Sequence, residues 1–79
     1  MIQNLSELNI GETATVSNII TTGSMRRRFL DLGIVEGTKI SCLHKSPSGN
    51  PVAYSIRGAV IAIRTDDSKN ILISCSNNE

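Results

Sequence analysis

Leu5, Leu8 and Ile10 lie on a short polar–apolar pattern that stops at Gly11-Glu12. The pattern predicts a single helical turn capped by Asn4 or Ser6, then a change of direction. Thr13 to Ile20 is rich in β-branched residues, and Ala14 and Val16 alternate with polar neighbours. That is the signature of a strand with one buried face. The alternation breaks at Ile19-Ile20, where a bulge or the strand end is expected. Ser24 is a good N-cap, and Met25, Phe29 and Leu32 at i, i+4 and i+7 form one apolar stripe. A helix over 25–32 is therefore predicted, closed by Gly33 in the left-handed C′ position.

Val35-Glu36-Gly37 reads as a tight turn before a strand over 38–45. Ser46-Pro47-Ser48-Gly49-Asn50-Pro51 is the densest turn signal of the chain, and Pro51 opens a strand, Val52 to Ile56. Arg57-Gly58 predicts a tight hairpin, with Gly58 free to take positive φ. Ala59 to Arg64 is nearly all apolar and is expected to cross the centre of the core. Asp66 to Asn70 reads as a short turn, Ile71 to Cys75 as the last strand, and residues 76–79 as a frayed tail. Five short strands joined by tight turns favour a small closed barrel, because closure removes the exposed edges of an open sheet. The expected class is all-β: a five-stranded barrel with one short α-helix between the first and second strands.

The 79 residues leave room for one domain, 1–79, and no second core. Only 3% of them are aromatic, so the core must be aliphatic. Eight Lys plus Arg against seven Asp plus Glu give a net charge of +1. Near-neutral charge and few rings argue against a nucleic-acid partner. The longest strictly apolar run, Ala59 to Ile63, falls far short of the ~20 residues of a spanning helix, and no signal peptide is evident. No insertion into a membrane is expected, and the location is expected to be cytoplasmic. Cys42 and Cys75 fit that compartment as free, buried thiols.

No Gly-rich phosphate loop is present, and His44 is the only histidine. The chain is expected not to be an enzyme. Cys42 and His44, an i, i+2 pair in a strand, are expected to share a face, and Cys75 on a neighbouring strand would add a third soft ligand. A structural zinc site wants four ligands, and the usual Cys-x-x-Cys spacing is missing, so weak binding of iron or zinc is the most this set suggests. Arg26-Arg27-Arg28 is the more informative feature. On a helix starting at Met25, these cations fall in the first turn, where the dipole prefers acids. Arg27 then points to solvent while Arg26 and Arg28 flank the apolar stripe. A local rule broken without visible compensation suggests a docking surface, with Leu30 exposed beside it.

The chain resembles the ferrous iron transport protein A (FeoA) family. The resemblance rests on Leu5-x-x-Leu8 followed by Gly11-Glu12, and on Arg28-Phe29-Leu30-Asp31-Leu32-Gly33-Ile34 at the helix end. Gly37-Thr38, Pro47-Ser48-Gly49-Asn50-Pro51-Val52, Arg57-Gly58 and Ile61-Ala62-Ile63-Arg64 extend it along the chain. Glu36, Asn50 and Ser68 depart from the family pattern at turns. The resemblance implies an SH3-like β-barrel, similar to the C-terminal domain of iron-dependent repressors. It also implies a small regulatory accessory that binds the cytoplasmic part of the ferrous iron transporter FeoB, a membrane GTPase, and tunes its assembly or GTPase cycle. Arg26, Arg28 and Leu30 are then the expected partner contacts. The alternative is a metal-binding carrier or sensor using Cys42, His44 and Cys75. The sequence fixes no oligomeric state.

Overall fold

In the computed structural model, which describes residues 2–75 and the side chains of 3–74, six strands form one antiparallel sheet. They are β1 (Ile2–Asn4), β2 (Thr13–Ile19), β3 (Lys39–Lys45), β4 (Val52–Ile56), β5 (Ala59–Ile63) and β6 (Ile71–Cys75). Their order across the sheet is β1-β6-β2-β3-β4-β5. Helix α1 (Gly23–Asp31) joins β2 to β3, and a single turn, α2 (Thr65–Ser68), joins β5 to β6. The expected frayed tail, 76–79, lies outside the described residues.

One face of the sheet closes on an aliphatic core, as period-2 alternation requires. Ala14 and Val16 of β2, Ile40 and Cys42 of β3, Val52, Tyr54 and Ile56 of β4, and Ile71 and Ile73 of β6 are all buried. Leu5 and Leu8 seal one end of the core. Leu5 sits in a 3₁₀ turn, Leu5–Glu7, capped by Asn4: its Oδ1 accepts from Ser6 N–H (3.0 Å), and Glu7 Oε1 accepts from Asn4 N–H (3.1 Å). Tyr54 donates its hydroxyl to the Leu5 carbonyl, 3.4 Å away, which ties the middle of β4 to this turn. Phe29 and Ile34, from α1 and its exit, complete the core.

Two expectations need correction. There are six strands, since Ile2–Asn4 pairs with Ser74, Ile73 and Leu72 of β6. Three residues carry no readable periodicity, so this strand follows from its partner. Strand β2 ends at Ile19, as expected, and a register shift between Val16 and Asn18 lets Val16 and Ile19 both face inward. Strand β5 does not cross the core. It lies at the end of the strand order, paired only with β4, and Ile63 alone among its residues is buried. Five apolar residues in a row look alike in a central strand and in an edge strand; only topology separates them. The class itself is as expected, a small antiparallel β fold with one helix ahead of Lys39–Lys45, and among the described residues β1 and β5 do not pair.

Burial raises the Cys42 thiol above its ordinary pKa of 9.0, with Lys45 opposing and Glu12 assisting. Burial likewise raises Tyr54 above 10.0, opposed by its hydrogen bond with Ser68. Below pH 9 both groups are protonated in the folded and unfolded chains, and their contribution to stability is complete. As pH rises further, the unfolded chain ionises first, so stability falls until the folded values are passed. Urea melts from pH 7 to 11 should show this decline, and Cys42→Ala should remove its first part while leaving the later, tyrosine part. An unchanged slope in Cys42→Ala would overturn the assignment.

Candidate functional site

Helix α1 begins two residues earlier than the spacing suggests, with Thr22 as N-cap and no side-chain cap bond. Arg26 therefore closes the first turn, Arg27 lies beyond it, and Arg28 reaches the last, where the dipole favours a cation. The expected conflict with the helix dipole is largely absent. Arg26 turns back and donates from Nη1 to the Ile19 carbonyl at 3.1 Å, at the end of β2. Its role in this structure is to hold the helix to the strand. Arg27 makes no ion pair or hydrogen bond from its side chain among the described residues.

Arg28 stands at the lip of a groove of about 330 Å³ between α1 and β5. Met25, Phe29 and Leu32 form the helix wall, Ile61 and Ile63 the strand wall, and Pro51 with Arg64 and Asp67 the far rim. The stripe predicted for the helix is thus divided between two tasks. Phe29 is buried, whereas Met25 and Leu32 are half-buried and open to the groove. Leu30 is exposed, as expected, but is not part of the groove lining. The residues that sequence reasoning missed are those of β5 and α2. The only signal for them was the apolar run Ala59 to Ile63, which lacked a position in the sheet.

Two local motifs hold the groove in shape. At the end of α1, Gly33 N–H donates to the Leu30 carbonyl (3.0 Å) and Ile34 N–H to the Phe29 carbonyl (2.9 Å). This is a Schellman closure with Gly33 at φ 88°. Thr38 Oγ1 fastens the exit by donating to the Gly33 carbonyl (3.0 Å) and accepting from Val35 N–H (3.1 Å). At the other rim, Asn50 Oδ1 accepts from the N–H and the hydroxyl of Thr65, at 2.7 and 2.6 Å. The loop before β4 is thereby pinned to the start of α2, next to Pro51 and Asp67.

The metal-ligand expectation meets a different outcome. Residues in β3 slip register between Cys42 and His44: Cys42 faces Tyr54, and His44 faces Ala53. The extra residue, Leu43, breaks the alternation, so Cys42 is buried while His44 is exposed. The two do not share a face. Cys75 stands opposite Ala14 in the ladder, and its side chain lies outside the described residues. Among the described residues no three His, Cys, Asp or Glu side chains gather as a metal site. Cys42 is a free thiol.

The family model described as the FeoA domain matches residues 3–75. A FeoA-like protein from Clostridium acetobutylicum, solved by NMR, superposes with a TM-score of 0.89 at 32% identity, covering 99% of this chain and 91% of that one. A FeoA from Stenotrophomonas maltophilia, crystallised with zinc and described as a prokaryotic SH3 domain protein, gives 0.82 at 25% identity, covering 91% and 89%. A fusion of Fe(2+) transport protein A with the Fe(2+) transporter FeoB, from Porphyromonas gingivalis, is 33% identical over 67 residues. The match takes in 85% of this chain and 8% of that much longer protein.

Proposed function

The chain belongs to the FeoA family, associated with ferrous iron transport, and we propose on that footing that it is a cytoplasmic, non-enzymatic accessory that docks on the transporter FeoB and tunes its assembly or GTPase cycle. The observation that carries this reading is the apolar groove between α1 and β5 with Arg28 at its lip. It offers a binding surface with no serine, threonine, cysteine or histidine among its lining residues. The P. gingivalis relative, in which the corresponding module is joined covalently to the transporter, supports the choice of partner. A resident metal has no part in this reading, because β3 turns Cys42 and His44 to opposite faces.

The test is binding to the purified cytoplasmic portion of the transporter, with and without GTP, by interferometry. Arg28→Glu should slow association and change its salt dependence, as loss at a charged rim does. Arg27→Glu should bind nearly as the unaltered protein does, since Arg27 does not line the groove. Arg26→Glu should lower the melting temperature, losing a hydrogen bond worth about 1 kcal/mol. Equal binding by the Arg28 and Arg27 variants would overturn the groove as the docking surface.

A further inference from the structure

Strand β5 is an undefended sheet edge. It pairs with β4 on one side and with no described strand on the other. Natural edges are protected by charges within the strand, proline, bulges or a covering element. Ala59-Val60-Ile61-Ala62-Ile63 has no charge and no proline, and the sheet's register shifts fall in β2 and β3 instead. Val60 is 70% exposed, the highest value among the large apolar residues whose side chains are described.

The hairpin sets which backbone groups are free. Arg57 and Gly58 both have positive φ, 51° and 85°, as a two-residue type I′ turn requires. Such a loop is closed by a hydrogen-bonded pair, here Ile56 and Ala59, and bonded pairs then alternate along the ladder. Ala59, Ile61 and Ile63 thus bond to β4, while Val60 and Ala62 direct N–H and C=O away from the sheet. An added strand would meet these groups. Its side chains on one face would enter the groove beside Ile61, and those on the other would cover Val60 and Ala62.

Charge selects the occupant. Arg57 and Arg64 bracket the strand and Arg28 overhangs the groove, with Asp67 as the single carboxylate in the lining. None of the three arginines forms an ion pair among the described residues. Antiparallel self-pairing about Ile61 would set Arg57 of one copy opposite Thr65 of the other, one residue from its Arg64, and this crowding of cations at both ends disfavours a second copy of this chain. We infer that β5 accepts, by strand addition, an extended segment of a protein partner with apolar residues at alternate positions and carboxylates at both ends. The inference rests on the docking reading above, and supplies its binding mode and the chemistry of the partner segment.

The probe is a synthetic peptide, Val-Thr-Val-Thr-Val flanked on each side by two glutamates, titrated into the ¹⁵N-labelled protein. Binding should slow amide exchange at Val60 and Ala62 by roughly tenfold or more, and a lysine-flanked version should bind more weakly. Val60→Pro removes only an outward N–H, which an edge strand tolerates, and should weaken binding by roughly tenfold. Ala62→Lys serves as a second block if the proline variant fails to fold. Peptide binding that leaves the Val60 and Ala62 amides unchanged, equal affinity for both peptides, or no peptide binding would each overturn the inference. So would a shift of the free protein from dimer to monomer in Val60→Pro, which would make the edge a self-contact. In a second arm the intact transporter replaces the peptide. Should it bind the Val60→Pro and unaltered chains equally, strand addition is not its mode. Should it bind neither while the peptide behaves as expected, the transporter reading fails and the strand-addition site stands.

Discussion

Replacing Phe29 with alanine is expected to destabilise the protein by about 3–5 kcal/mol, the usual cost of truncating a buried aromatic. Phe29 is the only phenylalanine of the chain and is 2% exposed. It is also the only residue of α1 that is buried; Met25 and Leu32 merely pack against the core from the groove. Alanine would therefore leave the helix without an anchor, in addition to opening a cavity. A domain of this length holds a total of about 4–12 kcal/mol, so the loss takes a large share of what keeps it folded. Phe29→Leu preserves most of the volume and should cost less than about 1.5 kcal/mol. Chemical denaturation of the two variants checks the ratio. Amide exchange on Phe29→Leu should rise in α1 before it rises in β2 or β6, because the helix is the element that loses contacts. Equal cost for the two substitutions would mean that the site collapses around either side chain, and that Phe29 is not what anchors the helix.

The same anchor shows how far the sequence could be read. Met25, Phe29 and Leu32 identify a helix and its inner face, because a 3.6-residue period has no competing explanation over that span. The closing glycine, the capped turn at Leu5 and the Arg57-Gly58 hairpin were legible for a similar reason: each is decided by residues within one turn of chain. Features decided by partners far along the chain were not. Strand β1 exists because β6 offers it a ladder. The run Ala59 to Ile63 is apolar in any topology, and its place at the edge follows only from the strand order. The register shift beside Leu43 shows the same limit at a finer scale. Alternation assigns faces by parity, and one inserted residue inverts it, which is how Cys42 and His44 were expected together and lie apart. Arg26 shows another limit: its place on the wheel is legible, but its hydrogen-bond target is a carbonyl seven residues back, at the end of another element.

Gly33→Ala is expected to cost about 1–2 kcal/mol from the backbone alone, the penalty for holding an L-residue in the left-handed region. Gly33 sits at φ 88°, and both hydrogen bonds of the helix closure depend on that conformation. A second contribution comes from the hairpin. A Cβ at residue 33 would lie 2.7 Å from Cδ of Arg57, so the arginine side chain must move off the helix end. The two contributions separate in a double-mutant cycle. Arg57→Ala alone should cost little, since Arg57 is exposed and forms no ion pair among the described residues. In the Arg57→Ala background, Gly33→Ala should cost only the backbone penalty, so the coupling between the sites measures the contact. Zero coupling would mean that the flexible arginine swings aside freely. A Gly33→Ala protein that melts like the unaltered one would show that residue 33 is not held left-handed. The coupling also bears on binding, because the two residues join the exit of α1 to the tip of the β4–β5 hairpin. If the groove and the β5 edge act together, Gly33→Ala should weaken partner binding even at temperatures where the variant is fully folded.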